Sequence, residues 1–167
     1  MATAAILVNG LPASGKSTLA TQLALLLGCP VLSKDVVKES FAELTGETVP
    51  GPALGGIAMD SIWSLAAAIT DGVVIDSFWF AGRDDDFIRA GIARSGAKRV
   101  VEVWCQVPRE LAEVRFAQRQ RHRVHSGQLD NWAGAQPVGM WPVVRVDTSS
   151  PTDFGTLMPE LAAHLLN

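Results

Sequence analysis

The chain has 167 residues, 48% of them hydrophobic and 19% charged, which suits one domain over 1–167 with a single substantial core. A formal net charge of −3 argues against a nucleic-acid partner, which would favour a basic balance. Cys29 and Cys105 are far apart and lack C-x-x-C spacing, which excludes a disulfide framework or a zinc cluster and suits a reducing compartment. No apolar run approaches the ~20 residues of a bilayer span, and no basic, then apolar leader is visible, so a cytoplasmic protein with no membrane partner is expected.

Short apolar runs alternate with longer helical patterns. Residues 4–8 read as a buried strand, and 16–27 as a helix with Leu19, Leu23 and Leu26 on one face. Residues 30–33 form a second strand. Asp35 stands where a helix N-cap is expected, ahead of a helix over 36–44. The stretch TGETVPGPALGG, residues 45–56, reads as a loop from its Gly and Pro content. Helix resumes over 57–69, strand over 72–75 and helix over 84–94. A fourth strand spans 99–104. Pro108 at a first helical position opens a helix running past Arg119. Residues 128–141 show no clean period. A fifth strand at 143–146 precedes a last helix marked by Phe154, Leu157, Leu161 and Leu165. Five apolar strands alternating with helices predict an α/β fold of three layers, a parallel sheet covered on both faces.

Between the first strand and first helix stands GLPASGKST, which satisfies G-x-x-x-x-G-K-[ST]. Small residues let such a loop curl its N–H groups around phosphates, and the following helix adds its positive end. Gly10, Pro12, Ala13, Ser14, Gly15, Lys16, Ser17 and Thr18 are the nucleotide-binding candidates. Lys16 reaches the β/γ-phosphates and Ser17 puts a hydroxyl on Mg²⁺. Asp76, at the end of the apolar run GVVID, is the second metal candidate, in the manner of a Walker B aspartate; its alternative is a cap on the next helix.

A guanine-reading N-K-x-D motif is missing from the sequence, and the chain has no room for a motor's helical lid domain. A small kinase remains. Asp35 follows the second strand, near the expected γ-phosphate, and can take a proton from an attacking hydroxyl. Arg115, Arg119 and Arg123 are four apart, an unfavourable spacing on a free helix unless an anion sits against them. They make 115–140 a candidate Arg-rich lid, with Arg119 and Arg123 catalytic and Arg115 and Arg119 on the nucleotide. A solvated basic face paired with Arg83–Asp86, or a nucleic-acid patch, are the alternatives. Trp79 either lines an acceptor pocket at a strand's end or belongs to the core. Arg83 either holds a polar or anionic part of the acceptor or pairs with its acidic neighbours.

GLPASGKST, SKDVVKE, VVIDSFW, the Arg-rich run ending RHRVHSG, and VVRVDTSSP together resemble the small AAA-type P-loop kinases related to polynucleotide kinase, chloramphenicol phosphotransferase and zeta toxins. The resemblance covers nearly the whole chain. It implies ATP as donor, Mg²⁺ as cofactor, Asp35 as base, strand order 2-3-1-4-5, and an adenine site near the lid and residues 147–152. Many relatives carry an R-H-P-G-H-like lid run, whereas here Arg121-His122-Arg123-Val124-His125-Ser126-Gly127 stands in altered register. The implied reaction moves the γ-phosphate to a hydroxyl of a small molecule: a nucleoside, a sugar-like metabolite or an antibiotic. A polynucleotide 5′-hydroxyl kinase and a non-catalytic ATP-binding regulatory module are the rival readings. Asp35, Asp76, Trp79 and Arg83 are the acceptor-side candidates.

Overall fold

In the computed structural model, residues 4–120, 122–125 and 134–166 are described. Strand β1 (Ala4–Gly10) leads into α1 (Lys16–Leu27), then β2 (Val31–Ser33), α2 (Lys34–Leu44), α3 (Gly51–Ala68), β3 (Gly72–Asp76), α4 (Asp85–Ser95), β4 (Arg99–Gln106), α5 (Arg109–Gln118), β5 (Val143–Asp147) and α6 (Phe154–Leu165). The strands form one parallel sheet in the order β2-β3-β1-β4-β5. Order and layering agree with expectation.

Two cores explain the unbroken apolar strands. Ile6 and Val8 of β1 face a cluster completed by Leu19 and Leu23 of α1 and Leu157 and Leu161 of α6. Their neighbours Ala5 and Leu7 face the opposite cluster, with Met59, Ile62 and Trp63 of α3 and Ile88 of α4. A strand buried on both faces has no solvent side on which to place polar residues. Gly91 shows how closely α4 approaches α3: a Cβ there would stand 2.1 Å from the Trp63 ring.

Three local expectations are corrected. Asp35 is not a cap; α2 begins at Lys34 with Ser33 in the N-cap position, and Asp35 lies in the first turn. The segment 51–56 is helical, not a loop. Pro52 is compatible with a first helical turn, and Leu54 and Gly55 are buried, so packing outweighs the low helix propensity of three glycines. Helix α5 stops at Gln118, with Arg119 already extended (φ −81°, ψ 127°). Its last buried residue is Ala112, and beyond it the Arg-rich sequence offers no apolar stripe to hold further turns. Arg115, Arg119 and Arg123 therefore do not share one helix face.

Residues 128–133, with Trp132, lie outside the described part. The rest of that aperiodic stretch is anchored from below: Glu102 of β4 is 1% exposed and accepts hydrogen bonds from Val138 N and Gly139 N, both 2.9 Å. Cys29 and Cys105 are both free thiols. Among the described residues no helix is long and apolar enough to cross a membrane.

Candidate functional site

Strand register gathers the site at the carboxyl ends of the strands. Val8 pairs with Asp76, Ser33 also pairs with Asp76, and Gly10 pairs with Cys105. The loop between β1 and α1 therefore starts beside the end of β3. Ligands in open α/β sheets bind at this edge.

The loop is shaped by backbone rules. Gly10 has φ +144°, and a Cβ there would come within 2.8 Å of Cys105 O. Ala13 (φ 61°) and Gly15 (φ 90°) are left-handed. Gly15 occupies the α1 N-cap position and no side chain caps the helix. The first-turn N–H groups of α1, which have no intrahelical acceptor, are thus open to an anion.

Beneath the loop, Asn9 is fully buried and uses both ends of its amide. Its Oδ1 accepts from Gly10 N (2.8 Å) and Trp79 N (3.0 Å). Its Nδ2 donates to Trp79 O (3.2 Å) and Glu102 Oε1 (2.9 Å). One side chain thereby joins the start of the phosphate loop, the segment after β3 and, through Glu102, residues 138–139. The Cys105 thiol lies in the same floor, and burial pushes its pKa up to about 12, so it stays an inert thiol.

Above the loop opens a cleft of about 720 Å³. Its donor side is walled by Pro12, Ala13, Gly15, Lys16, Ser17 and Thr18. Gly10 and Ser14, both named from the motif, are buried and shape the loop instead of facing the cleft. Lys16 Nζ donates to Leu11 O (2.8 Å) and lies 6.0 Å from the centre of the Phe78 ring. Burial lowers its pKa, with Asp76 pulling the other way. Ser17 and Asp76 both line the cleft, and Ser33 Oγ donates to Asp76 Oδ2 at 3.0 Å, which orients that carboxylate. No cluster of three His, Cys, Asp or Glu side chains that could cage a metal occurs among the described residues. A hydroxyl and one carboxylate suit Mg²⁺, which takes its remaining ligands from phosphates and water.

The lid arginines divide into three roles. Arg115 lines the cleft, but its guanidinium donates to Thr148 O (3.0 Å) and Ser149 O (3.2 Å), tying α5 to the loop after β5. Arg119 lines the cleft and makes no hydrogen bond or ion pair with any described residue. Arg123 is not in this cleft; it lines a smaller one of about 180 Å³ with Val49, Pro50 and Val124. The end of α5 at Gln118 accounts for that displacement.

The acceptor side is built by α2. Asp35, Lys38 and Glu39 share one helix face at i, i+3 and i+4, and all line the cleft together with Lys34. His125 closes over them, with Nε2 2.7 Å from Glu39 Oε1 and Nδ1 3.9 Å from Asp35 Oδ1. Val124 O is packed so closely on Gly51 that a Cβ there would approach to 2.7 Å. Arg83 lines the cleft and is paired with Asp84 through two hydrogen bonds, 2.9 and 2.6 Å. Trp79 does not face the cleft. It is 2% exposed within the α3/α4 core, and its neighbour Phe78 takes the lining position, because successive residues of an extended segment point to opposite sides.

Lys34, Glu39, Phe78 and His125 were not picked out as site residues from sequence. The first two had a signal in the charged i, i+4 face of VLSKDVVKE. Asn9 and Glu102 also went unnoticed, although each interrupts an otherwise apolar strand.

The strand order, the phosphate loop and the placement of Lys16 and Asp76 define a P-loop nucleotide-binding protein with a kinase-like fold. The profile of the AAA domain family matches residues 6–136, and the chain belongs to that family. Among solved structures, a candidate kinase from Chloroflexus aurantiacus J-10-fl is similar over 99% of this chain and 100% of its own, with a TM-score of 0.82 and 24% identity. A gluconokinase from Sinorhizobium meliloti 1021 covers 98% of this chain and 91% of its own, with a TM-score of 0.62 and 20% identity. Kti12 of Chaetomium thermophilum, in complex with ADP-AlF3, covers 96% and 98%, with a TM-score of 0.64 and 16% identity. At these identities the likeness is one of fold. A search of curated proteins finds no match.

Proposed function

We propose that the protein is an ATP-dependent phosphotransferase that moves the γ-phosphoryl group to a hydroxyl of a small, polar, sugar-like acceptor. The observation that carries the reading is that Asp35 shares one cleft with Lys16, Ser17, Asp76 and Arg119. A nucleotide site that only senses ATP has no need of a carboxylate opposite the γ-phosphate. The polar character of the acceptor side favours a sugar-like acceptor over a nucleoside or an aryl antibiotic. That wall is made of Lys34, Asp35, Lys38, Glu39 and His125, and the Trp79 indole that would stack on a base is in the core. The gluconokinase likeness is in keeping with this.

In the transfer, the acceptor oxygen attacks Pγ, the bond from Pγ to the β,γ-bridging oxygen breaks, and ADP leaves with that electron pair. The acceptor proton passes to the Asp35 carboxylate. Lys16, held on Leu11 O before nucleotide enters, exchanges that carbonyl for the β/γ-oxygens. Arg119 stabilises charge on the transferring group. Mg²⁺ held by Ser17 and Asp76 would neutralise phosphate charge.

Asp35→Asn tests the assignment. Asp35 is a first-turn residue rather than a cap, so the change removes a favourable helix-end charge worth about 0.3–1 kcal/mol and leaves the fold intact. Transfer to sugars and polyols is expected to fall by roughly 10²–10⁴-fold while ATP binding persists. A variant that binds ATP and phosphorylates at the wild-type rate would remove Asp35 as the base.

A further inference from the structure

The charged groups on the acceptor side differ in one respect. Arg83 is bonded to Asp84, and Glu39 to His125, which also lies 3.9 Å from Asp35. Lys38 is engaged within the protein. Lys34 alone among these makes no hydrogen bond or ion pair with any described residue. Its position is nevertheless fixed. The aliphatic stem lies over Gly55 of α3, where a methyl group would stand 3.7 Å from Lys34 Cε and 4.0 Å from its Nζ. The absence of a side chain at Gly55 thus makes room for the Lys34 stem, and the ammonium is delivered to the cleft wall.

Burial lowers the Lys34 pKa, the surrounding charges being Asp35 and Asp84, which favour the cation, and Arg83, which opposes it. Asp84 is already held by the Arg83 guanidinium and by Phe80 N at 2.8 Å. Asp35 is the group assigned to the acceptor hydroxyl. A partly desolvated ammonium with no acceptor is costly, and an anion relieves that cost better than a neutral oxygen does.

We propose that the acceptor carries an anionic group, a carboxylate or a phosphate monoester, which Lys34 binds while Asp35 on the same helix turn takes the proton of the reacting hydroxyl. This rests on the kinase reading and narrows it to acidic polyols, with Lys34 as the specificity-determining residue.

The test is a set of matched acceptors given with ATP-Mg²⁺: aldonates and uronates, sugar phosphates, and the neutral aldoses and alditols of the same carbon skeletons. Products are measured by mass spectrometry and initial rates. Acidic acceptors are expected to be phosphorylated well ahead of their neutral counterparts, and the carboxylate and phosphate arms identify which anion is used. Lys34→Met should lower kcat/KM for the acidic acceptor by about 10- to 100-fold, the worth of a charge-assisted hydrogen bond, and bring it level with the neutral one. Lys34→Arg should restore most of the preference. Equal use of acidic and neutral partners by the wild type overturns the inference and leaves the kinase reading standing. So does an equal loss on both in Lys34→Met. If no hydroxyl compound is phosphorylated, the kinase reading fails. Thermal shift with sodium gluconate and sodium phosphate then decides the anion site alone: a shift lost in Lys34→Met upholds it, and none overturns it.

Discussion

The two sides of the cleft are built by different means. On the donor side the working groups are mostly backbone N–H, aimed by left-handed residues and fixed from beneath by the buried Asn9 and Glu102 side chains. On the acceptor side the working groups are long side chains on one face of α2, and the lid segment closing over them makes one short contact, His125 to Glu39 at 2.7 Å. A backbone cradle admits little variation, since a single Cβ at Gly10 would collide with Cys105 O. A charged helix face can be rewritten residue by residue without disturbing the fold. The difference fits a constant donor and a variable acceptor.

Separating chemistry from architecture on the donor side comes first. Lys16→Ala should reduce transfer by about 10²–10³-fold or more, as when a preorganised charge is lost from a transition state. Folding should be unchanged or improved, because a desolvated ammonium is removed. Steady-state rates beside urea melts check both halves; retained activity would overturn the phosphate-loop assignment. Gly10→Ala reverses the pattern. It forces a side chain onto φ +144° and into Cys105 O, at a cost of roughly 2–5 kcal/mol from strain and overpacking together. Equilibrium unfolding reads the loss, and a wild-type midpoint would show that the loop tolerates a Cβ.

A smaller and opposite effect belongs to the acceptor side. Gly51→Ala places a methyl group 2.7 Å from Val124 O and must push the 122–125 segment away from α2. A severalfold rise in acceptor KM is expected, with ATP affinity unchanged. If ATP affinity fell in parallel, the two sides would not be independent.

The phosphate loop could be read directly because its demands are local. Glycine at left-handed positions, a lysine and a hydroxyl at the start of the next helix are consequences of backbone sterics and of the helix end. The strands were equally legible, since burial on both faces leaves unbroken apolar runs. The placement of Asp76 at a strand terminus followed from the same pattern.

What tertiary structure decided was the fate of residues whose local signals conflict. Residues 51–56 carry loop-like composition, yet Leu54 and Gly55 pack against neighbours and hold a helix. Arg123 carries a helical spacing, yet α5 has nothing to pack on beyond Ala112 and ends before reaching it. Trp79 and Phe78 are adjacent aromatic residues, and only the direction of the chain after β3 assigns one to the core and the other to the cleft. Lys34 is an ordinary surface lysine in the sequence; Gly55, on another helix, makes it a fixed charge in the site. Periodicity and turn chemistry act between residues close in the chain, and the sequence by itself therefore determined the strands and the phosphate loop. The acceptor site depends on contacts between α2, α3 and the lid, and those exist only once the sheet has brought them together.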